Sequence, residues 1–200
     1  MRKIVLASAS VRRSRILSEC GIAHTVEVSG YPEDHFSGEK VWDIVAHHAL
    51  KKAEAVALKN PDAVVIGADT LVFHDDAVIG KPAGYEEARE LLKRFSGNTI
   101  EVYTGLCVID GITGKISCGI EKSDVLVKKI SEEEIERYFK LLGPHDKAGG
   151  FSIEGAGSVI FDDIRGSYFN ILGLPMRRLA ELFRDLGLEI SDHMSGQPEK

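Results

Sequence analysis

Residues able to do chemistry fall at five places in the chain. Near the start, Ser8, Ser10, Arg12, Arg13 and Arg15 crowd the end of an apolar run, Ile4–Ala7. A helix beginning near Ser10 puts Arg12 and Arg13 in its first turn, where the positive end of the helix dipole disfavours cations by about 0.3–1 kcal/mol each. An anionic ligand is therefore expected there. Asp69 follows Ala63–Ala68, a β-branched apolar run; an acid beyond a buried strand can hold a divalent metal or take a proton from water, or simply make a turn bond with Thr70. Lys81, between Gly80 and Pro82, reads either as a phosphate ligand or as a lysine in an exposed turn. Lys52 has the same two readings, its alternative being a solvated helix face shared with Lys51. Glu33 and Asp34, in a long polar loop, are equally ambiguous.

Other candidates point away from chemistry. His47 and His48 are adjacent, and adjacent residues project about 100° apart on a helix, so they read as packing residues and not as a chelating pair. The glycine-dense stretches Pro144–Gly150 and Ile153–Gly157 lack the spacings of a dinucleotide fingerprint and of a P-loop.

The elements that must carry these residues are legible from periodicity. Strands are predicted at Lys3–Ala7, Thr25–Val28, Ala63–Ala68, Ile100–Asp110, Lys115–Lys129 and Ser158–Phe161, with a hairpin pairing Leu71–Phe73 and Val78–Ile79. Helices are predicted at Val11–Cys20, Val41–Leu58 and Glu86–Phe95, from a capping box at Ser131–Glu134 to Leu142, and from an N1 proline at Pro175 to Leu186. Residues 1–190 read as one α/β domain and Ser191–Lys200 as a mobile polar tail.

Bulk properties narrow the partners. With 44% hydrophobic and 28% charged residues, the 200-residue chain can bury a core. A net charge of −6 does not favour nucleic acid or an anionic membrane, yet the first fifteen residues hold five cations and no acid, which suits a small anionic ligand. No apolar stretch approaches the roughly 20 residues of a membrane span. The Arg- and Ser-rich start also has the look of a transit peptide, against which Ile4-Val5-Leu6 reads as a first buried strand. Cys20, Cys107 and Cys118 are odd in number and widely spaced, so neither a disulfide framework nor a zinc site is expected, and a cytoplasmic setting fits.

In order along residues 3–187, the stretches LASASVRRSRIL, Lys52-Ala53, Gly67–Thr70, Gly80–Pro82, Thr104-Gly105, Asp146–Gly150 and Gly166–Pro175 resemble the motifs of the Maf family of nucleoside triphosphate pyrophosphatases. Val11 departs from the proline usual there. The resemblance implies an α/β fold with a long mixed sheet, flanking helices and two lobes around a central cleft, commonly a homodimer. It implies hydrolysis of a nucleoside triphosphate between the α and β phosphates with a divalent metal, Mg or Mn. Carried over residue by residue, Asp69 is the catalytic aspartate, orienting a metal-bound water or acting as its general base, Glu33 and Asp69 are metal contacts, and Ser8, Arg12, Arg13, Lys52 and Lys81 surround the triphosphate.

The same resemblance bears on the base. Members acting on dTTP and UTP tend to carry Arg, Thr and Gln at three positions where 7-methyl-GTP pyrophosphatases tend to carry Trp, Gln and Glu. This chain has Arg12, Thr70 and Glu154, and with its Asp146–Gly149 segment it leans to the pyrimidine type. A carboxylate at 154 accepts but cannot donate. The competing readings are a 7-methyl-GTP or other modified-nucleotide pyrophosphatase, a nucleotide-binding regulator without turnover, and a sugar- or lipid-phosphate binding module.

Overall fold

The computed structural model describes residues 2–32, 40–142 and 153–195. Its strands are β1 (Ile4–Ala7), β2 (Thr25–Val26), β3 (Val64–His74), β4 (Ala77–Ile79), β5 (Thr99–Asp110), β6 (Ile116–Val127) and β7 (Phe161–Arg165). The helices are α1 (Val11–Glu19), α2 (Val41–Ala57), α3 (Tyr85–Phe95), α4 (Glu132–Leu142), α5 (Tyr168–Ile171) and α6 (Met176–Asp185). They build one mixed sheet in the order β2-β1-β3-β5-β6-β7, with β4 on β3.

Side-chain alternation decides which layer each residue joins. Along β1 and β3, Ile4, Leu6, Val64, Ile66 and Ala68 pack with α1, α3, α4 and α6, whereas Val5, Ala7 and Val65 pack beneath α2. On that second face α2 lies unusually close. A Cβ added to Gly67 would stand 2.2 Å from the Ala49 carbonyl oxygen, and one added to Gly105 would stand 2.1 Å from that of Val45. Two glycines in neighbouring strands thus let the helix backbone rest on the sheet.

One edge of β3 is interrupted. β1 pairs with it in parallel only as far as Ala7 against Gly67, and β4 pairs antiparallel only from Ile79 against Val72. The opposite edge is paired with β5 from Val64 to Phe73. Among the described residues, Ala68–Leu71 therefore have a neighbouring strand on one side only, which leaves a notch in the sheet.

Several sequence expectations need correction. The strand expected to stop before Asp69 runs on to His74, so Asp69 is not in a turn. Residues 158–160, read as strand, belong to a 3-10 helix, Gly155–Ile160, stabilised where the Ser158 hydroxyl donates to the Gly155 carbonyl at 2.8 Å. Pro175 takes the N-cap position, one residue before the expected N1. The beginning of the expected tail is packed: Ile190–His193 form a 3-10 turn, His193 is buried, and Met194 bridges to Ile22. Residues 196–200 lie outside the described residues. Cys107 and Cys118, opposite each other in the β5–β6 register, form a disulfide, contrary to the reading from spacing, and Cys20 is free. The Ser131 capping box is present as expected, Glu134 accepting from the Ser131 amide at 2.8 Å.

Candidate active site

The notch is the floor of a cavity of about 730 Å³. Its walls come from the β1–α1 junction, from Val28–Tyr31, and from Lys81, Ile153–Glu154 and Ile171–Gly173. Eight sequence candidates line it together: Ser8, Arg12, Arg13, Lys52, Asp69, Thr70, Lys81 and Glu154. Glu33 and Asp34, and the Asp146–Gly150 motif, lie outside the described residues. Five cations and two carboxylates among the described residues face this space, an excess of positive charge on a chain whose net charge is −6. Such a concave, cationic site attracts anions.

Asp69 is buried on the α2 side of β3. Lys52 Nζ donates to its Oδ1 at 2.7 Å, and His48 Nδ1 lies 3.3 Å from its Oδ2. Burial by itself raises the Asp69 pKa, but the Lys52 ammonium, with smaller contributions from Arg13 and His48, outweighs that and holds the carboxyl below its usual range. Asp69 is thus an anion at neutral pH and an acceptor only. A carboxylate so stabilised orients a water or contacts a cation better than it removes a proton.

The next residue points to the other face. Thr70 Oγ1 accepts from Arg13 Nη2 at 2.9 Å and lies 2.9 Å from Thr104 Oγ1. Arg13 also donates from Nε to the Gly173 carbonyl at 2.8 Å and from Nη1 to Ser8 Oγ and the Ala68 carbonyl, each at 3.0 Å. The guanidinium therefore ties α1, the notch in β3 and the α5–α6 turn together. Thr104 passes the network to the Asn170 carbonyl at 3.2 Å, and the Asn170 amide donates to Val102 O and Ser123 Oγ. Gly173, with φ 93, and Gly166, with φ 118, make the turns that bring this segment in.

At the mouth, Glu154 bridges two cations: Arg12 Nε is 2.9 Å from its Oε2, and Arg15 Nη2 donates to its Oε1. The Arg12 Nη2 group is buried and, among the described residues, has no hydrogen-bond partner, an orphan donor at the wall of the cavity. Ser10 caps α1, its Oγ accepting from the Arg13 amide at 3.4 Å. Ser8 Oγ accepts from the Ser10 amide at 3.2 Å as well as from Arg13, which leaves its O–H as a donor. Lys81 is exposed at the rim.

Sequence reasoning gave no site role to His48, Tyr31, Thr104 or Asn170, although Thr104 and Asn170 lie within the motifs of the resemblance. The signal for His48 was present: it stands four residues before Lys52, so both occupy one face of α2. His47, its neighbour, instead contacts the Tyr31 hydroxyl at 3.2 Å.

Among the described residues, no group of three or more His, Cys, Asp or Glu side chains could hold a metal. The described cavity offers Asp69 at its floor and, at its mouth, Glu154 paired with Arg12 and Arg15. That donor set suits Mg2+ or Mn2+ bound chiefly through phosphate oxygens and water, with one or two carboxylates, and not a dedicated protein cage. Among the described residues, no helix is long and apolar enough to cross a membrane.

Comparisons with known proteins give the family. A family model described as Maf-like protein matches residues 3–186. A dTTP/UTP pyrophosphatase of Methanococcoides burtonii is 40% identical over 193 residues, 96% of this chain and 99% of that one. A protein of the same name from Desulforamulus reducens is 42% identical over 190 residues, 95% of this chain and 100% of that one. Another, from Bacillus cereus, is 39% identical over 191 residues, 96% and 99% of the two chains. A solved structure, the Staphylococcus aureus Ham1 protein, is similar at a TM-score of 0.48 and 14% identity, over 92% of this chain and 97% of that chain. The motif residues gathered around the notch and the nearly full-length match lead to one assignment: the chain belongs to the family of Maf-like proteins.

Proposed function

We propose that the protein hydrolyses a pyrimidine nucleoside triphosphate, dTTP or UTP, between its α and β phosphates, giving the monophosphate and pyrophosphate. The observation that carries this reading is an ionised carboxylate, Asp69, gripped by Lys52 at the floor of a cavity with an excess of cations. The names of relatives about 40% identical over nearly the whole chain support the reaction and the substrate.

Arg12 offers its orphan Nη2 donor, Ser8 its hydroxyl, and Lys52 and Lys81 their ammonium groups to the phosphates; fixed cations and donors of this kind suit a polyanion. Arg13 acts from below, its fork filled by oxygens of the fold while its charge remains beneath the ligand. Asp69 accepts a hydrogen bond from the attacking water and aims it at the α phosphorus, and the P–O bond to the pyrophosphate leaving group breaks as the new one forms and the water's proton passes to solvent. When bound, Mg2+ or Mn2+, held through Asp69 and Glu33, supplies positive charge against the phosphate oxygens.

Glu154 bears on the base. Its carboxylate already answers Arg12 and Arg15, which leaves it less to offer a cationic 7-methylguanine ring, and this supports the pyrimidine side together with Arg12 and Thr70. The reading extends to a homodimer that neither spans a membrane nor binds nucleic acid. The test is a panel of dTTP, UTP, CTP, 7-methyl-GTP and ATP with Mg2+ or Mn2+, in which pyrophosphate and monophosphate are measured separately. Equimolar monophosphate and pyrophosphate from dTTP or UTP is the expected result; no turnover of any triphosphate would overturn the reading.

A further inference from the structure

His48 belongs to none of the motifs that carry the family resemblance, yet it touches the residue at the centre of the site. It is fully buried, and its Nδ1 lies 3.3 Å from Asp69 Oδ2 while Lys52, one helical turn later, holds Oδ1 at 2.7 Å. Two donors from successive turns of α2 therefore grip the two oxygens of one carboxylate.

The arrangement has mechanical consequences. The torsion that turns a carboxylate about its Cβ–Cγ bond is broad and roughly two-fold, so a single donor does not fix the plane of the group. A second donor on the other oxygen does. A carboxylate oxygen accepts, so the hydrogen of this bond sits on His48 Nδ1. The helix lies close over the strand, since Gly67 and Gly105 let its backbone rest against β3 and β5. Nor is the position one that packing alone demands: Ala49, Ala53 and Val56 bury the apolar side of α2, and a leucine would fill the space of the ring without placing a polar group in the core. The ring also lies edge-on to Tyr31, with centroids 5.9 Å apart, and Tyr31 lines the same cavity.

We propose that His48 is a positioning residue for the hydrolysis: its Nδ1–H bond fixes the plane of the Asp69 carboxylate, so that the lone pairs not taken by Lys52 and His48 face the attacking water. This rests on the role given to Asp69 in the proposed function.

The experiment compares His48→Leu, His48→Asn and His48→Gln in the full chain, measuring kcat and KM for dTTP with Mg2+ alongside the thermal midpoint. Asparagine can put its amide nitrogen near the Nδ1 position, whereas glutamine reaches toward that of Nε2. A misplaced group can cost on the order of 10- to 100-fold in rate, so His48→Leu is expected to lower kcat about 10-fold or more with KM within about threefold, and His48→Asn to recover most of the loss. Turnover by His48→Leu within about twofold of the parent would overturn the inference, as would an asparagine variant as slow as the leucine one. Should His48→Leu fail to fold, the pair His48→Asn and His48→Gln decides: asparagine must be faster, and equal rates overturn the inference. A parent protein that releases no pyrophosphate removes the proposed function itself, which the triphosphate panel distinguishes from a parent that is active and a His48 that is dispensable.

Discussion

Asp69 and Thr70 are neighbours in one strand and live in different electrostatic worlds. On the α2 side, Asp69 is a charge met by charge, with Lys52 on one oxygen and His48 on the other. On the opposite side, Thr70 belongs to a network in which the Arg13 guanidinium is divided among two carbonyl and two hydroxyl oxygens. The first arrangement leaves a carboxylate oriented and accessible from the notch. The second leaves a cation anchored in the fold and still positive beneath the cavity. On the proposed function, consecutive residues on an interrupted strand divide the labour: one face handles the reacting groups, the other fixes the shape of the site and supplies its field.

If that division is right, substitutions on the two faces should fail in different assays. The largest effect is expected from Asp69→Asn, which keeps the shape and loses the charge: pyrophosphate release from dTTP should fall by about 10³-fold, with the folded state retained by circular dichroism. A pure nucleotide binder would instead keep or gain affinity. Arg13→Met should show itself in unfolding, lowering stability in a urea titration by about 3 kcal/mol because it strands several buried acceptors at once. Thr70→Val, which removes one hydroxyl from the same network, should cost about 1–2 kcal/mol in that titration.

Acid provides a further way to separate the faces. The folded-state pKa of Asp69 lies below its unfolded value of about 3.9, so its ionisation stabilises the fold above that pH and the contribution is lost as pH falls through the folded-state value. Urea midpoints measured from pH 5 down to pH 2 should therefore fall more steeply for the parent than for Asp69→Asn. The smallest effect is expected at the rim. Glu154→Gln frees Arg12 and Arg15 from their shared counter-charge, so KM for dTTP should fall by about two- to fivefold, with a steeper dependence on salt.

How much of this was legible in the sequence differs between the fold and the site. The longer helices were, because amphipathic periodicity and caps are local signals; α2 and α3 end within a residue of their expected bounds, whereas the four-residue α5 was not expected. β3 was cut short because its apolar run stops at Ala68, and polar residues in mid-strand look like a turn unless the missing neighbour on the β1 edge is known. The 3-10 helix before β7 was hidden by β-branched Val159 and Ile160, and the disulfide by a pairing that only the β5–β6 register creates. In the site, residue types and motif order marked positions that line the cavity, but not what each one touches. Arg13, expected against the triphosphate, lines the cavity while its donors are met by oxygens of the fold. His48 was set aside because the His47–His48 adjacency was weighed in place of the i, i+4 relation to Lys52.

The notch has one more consequence, for how the protein would lose its activity. Many active-site residues ride on loops that open far more often than the molecule unfolds, whereas Asp69 sits in mid-strand, paired with Gly105 across from it and roofed by a helix seated directly on the sheet. Those backbone amides around Asp69 that face β5 should accordingly exchange with deuterium among the slowest in the chain. Heat or denaturant should then extinguish the Asp69 centre only when the whole sheet gives way.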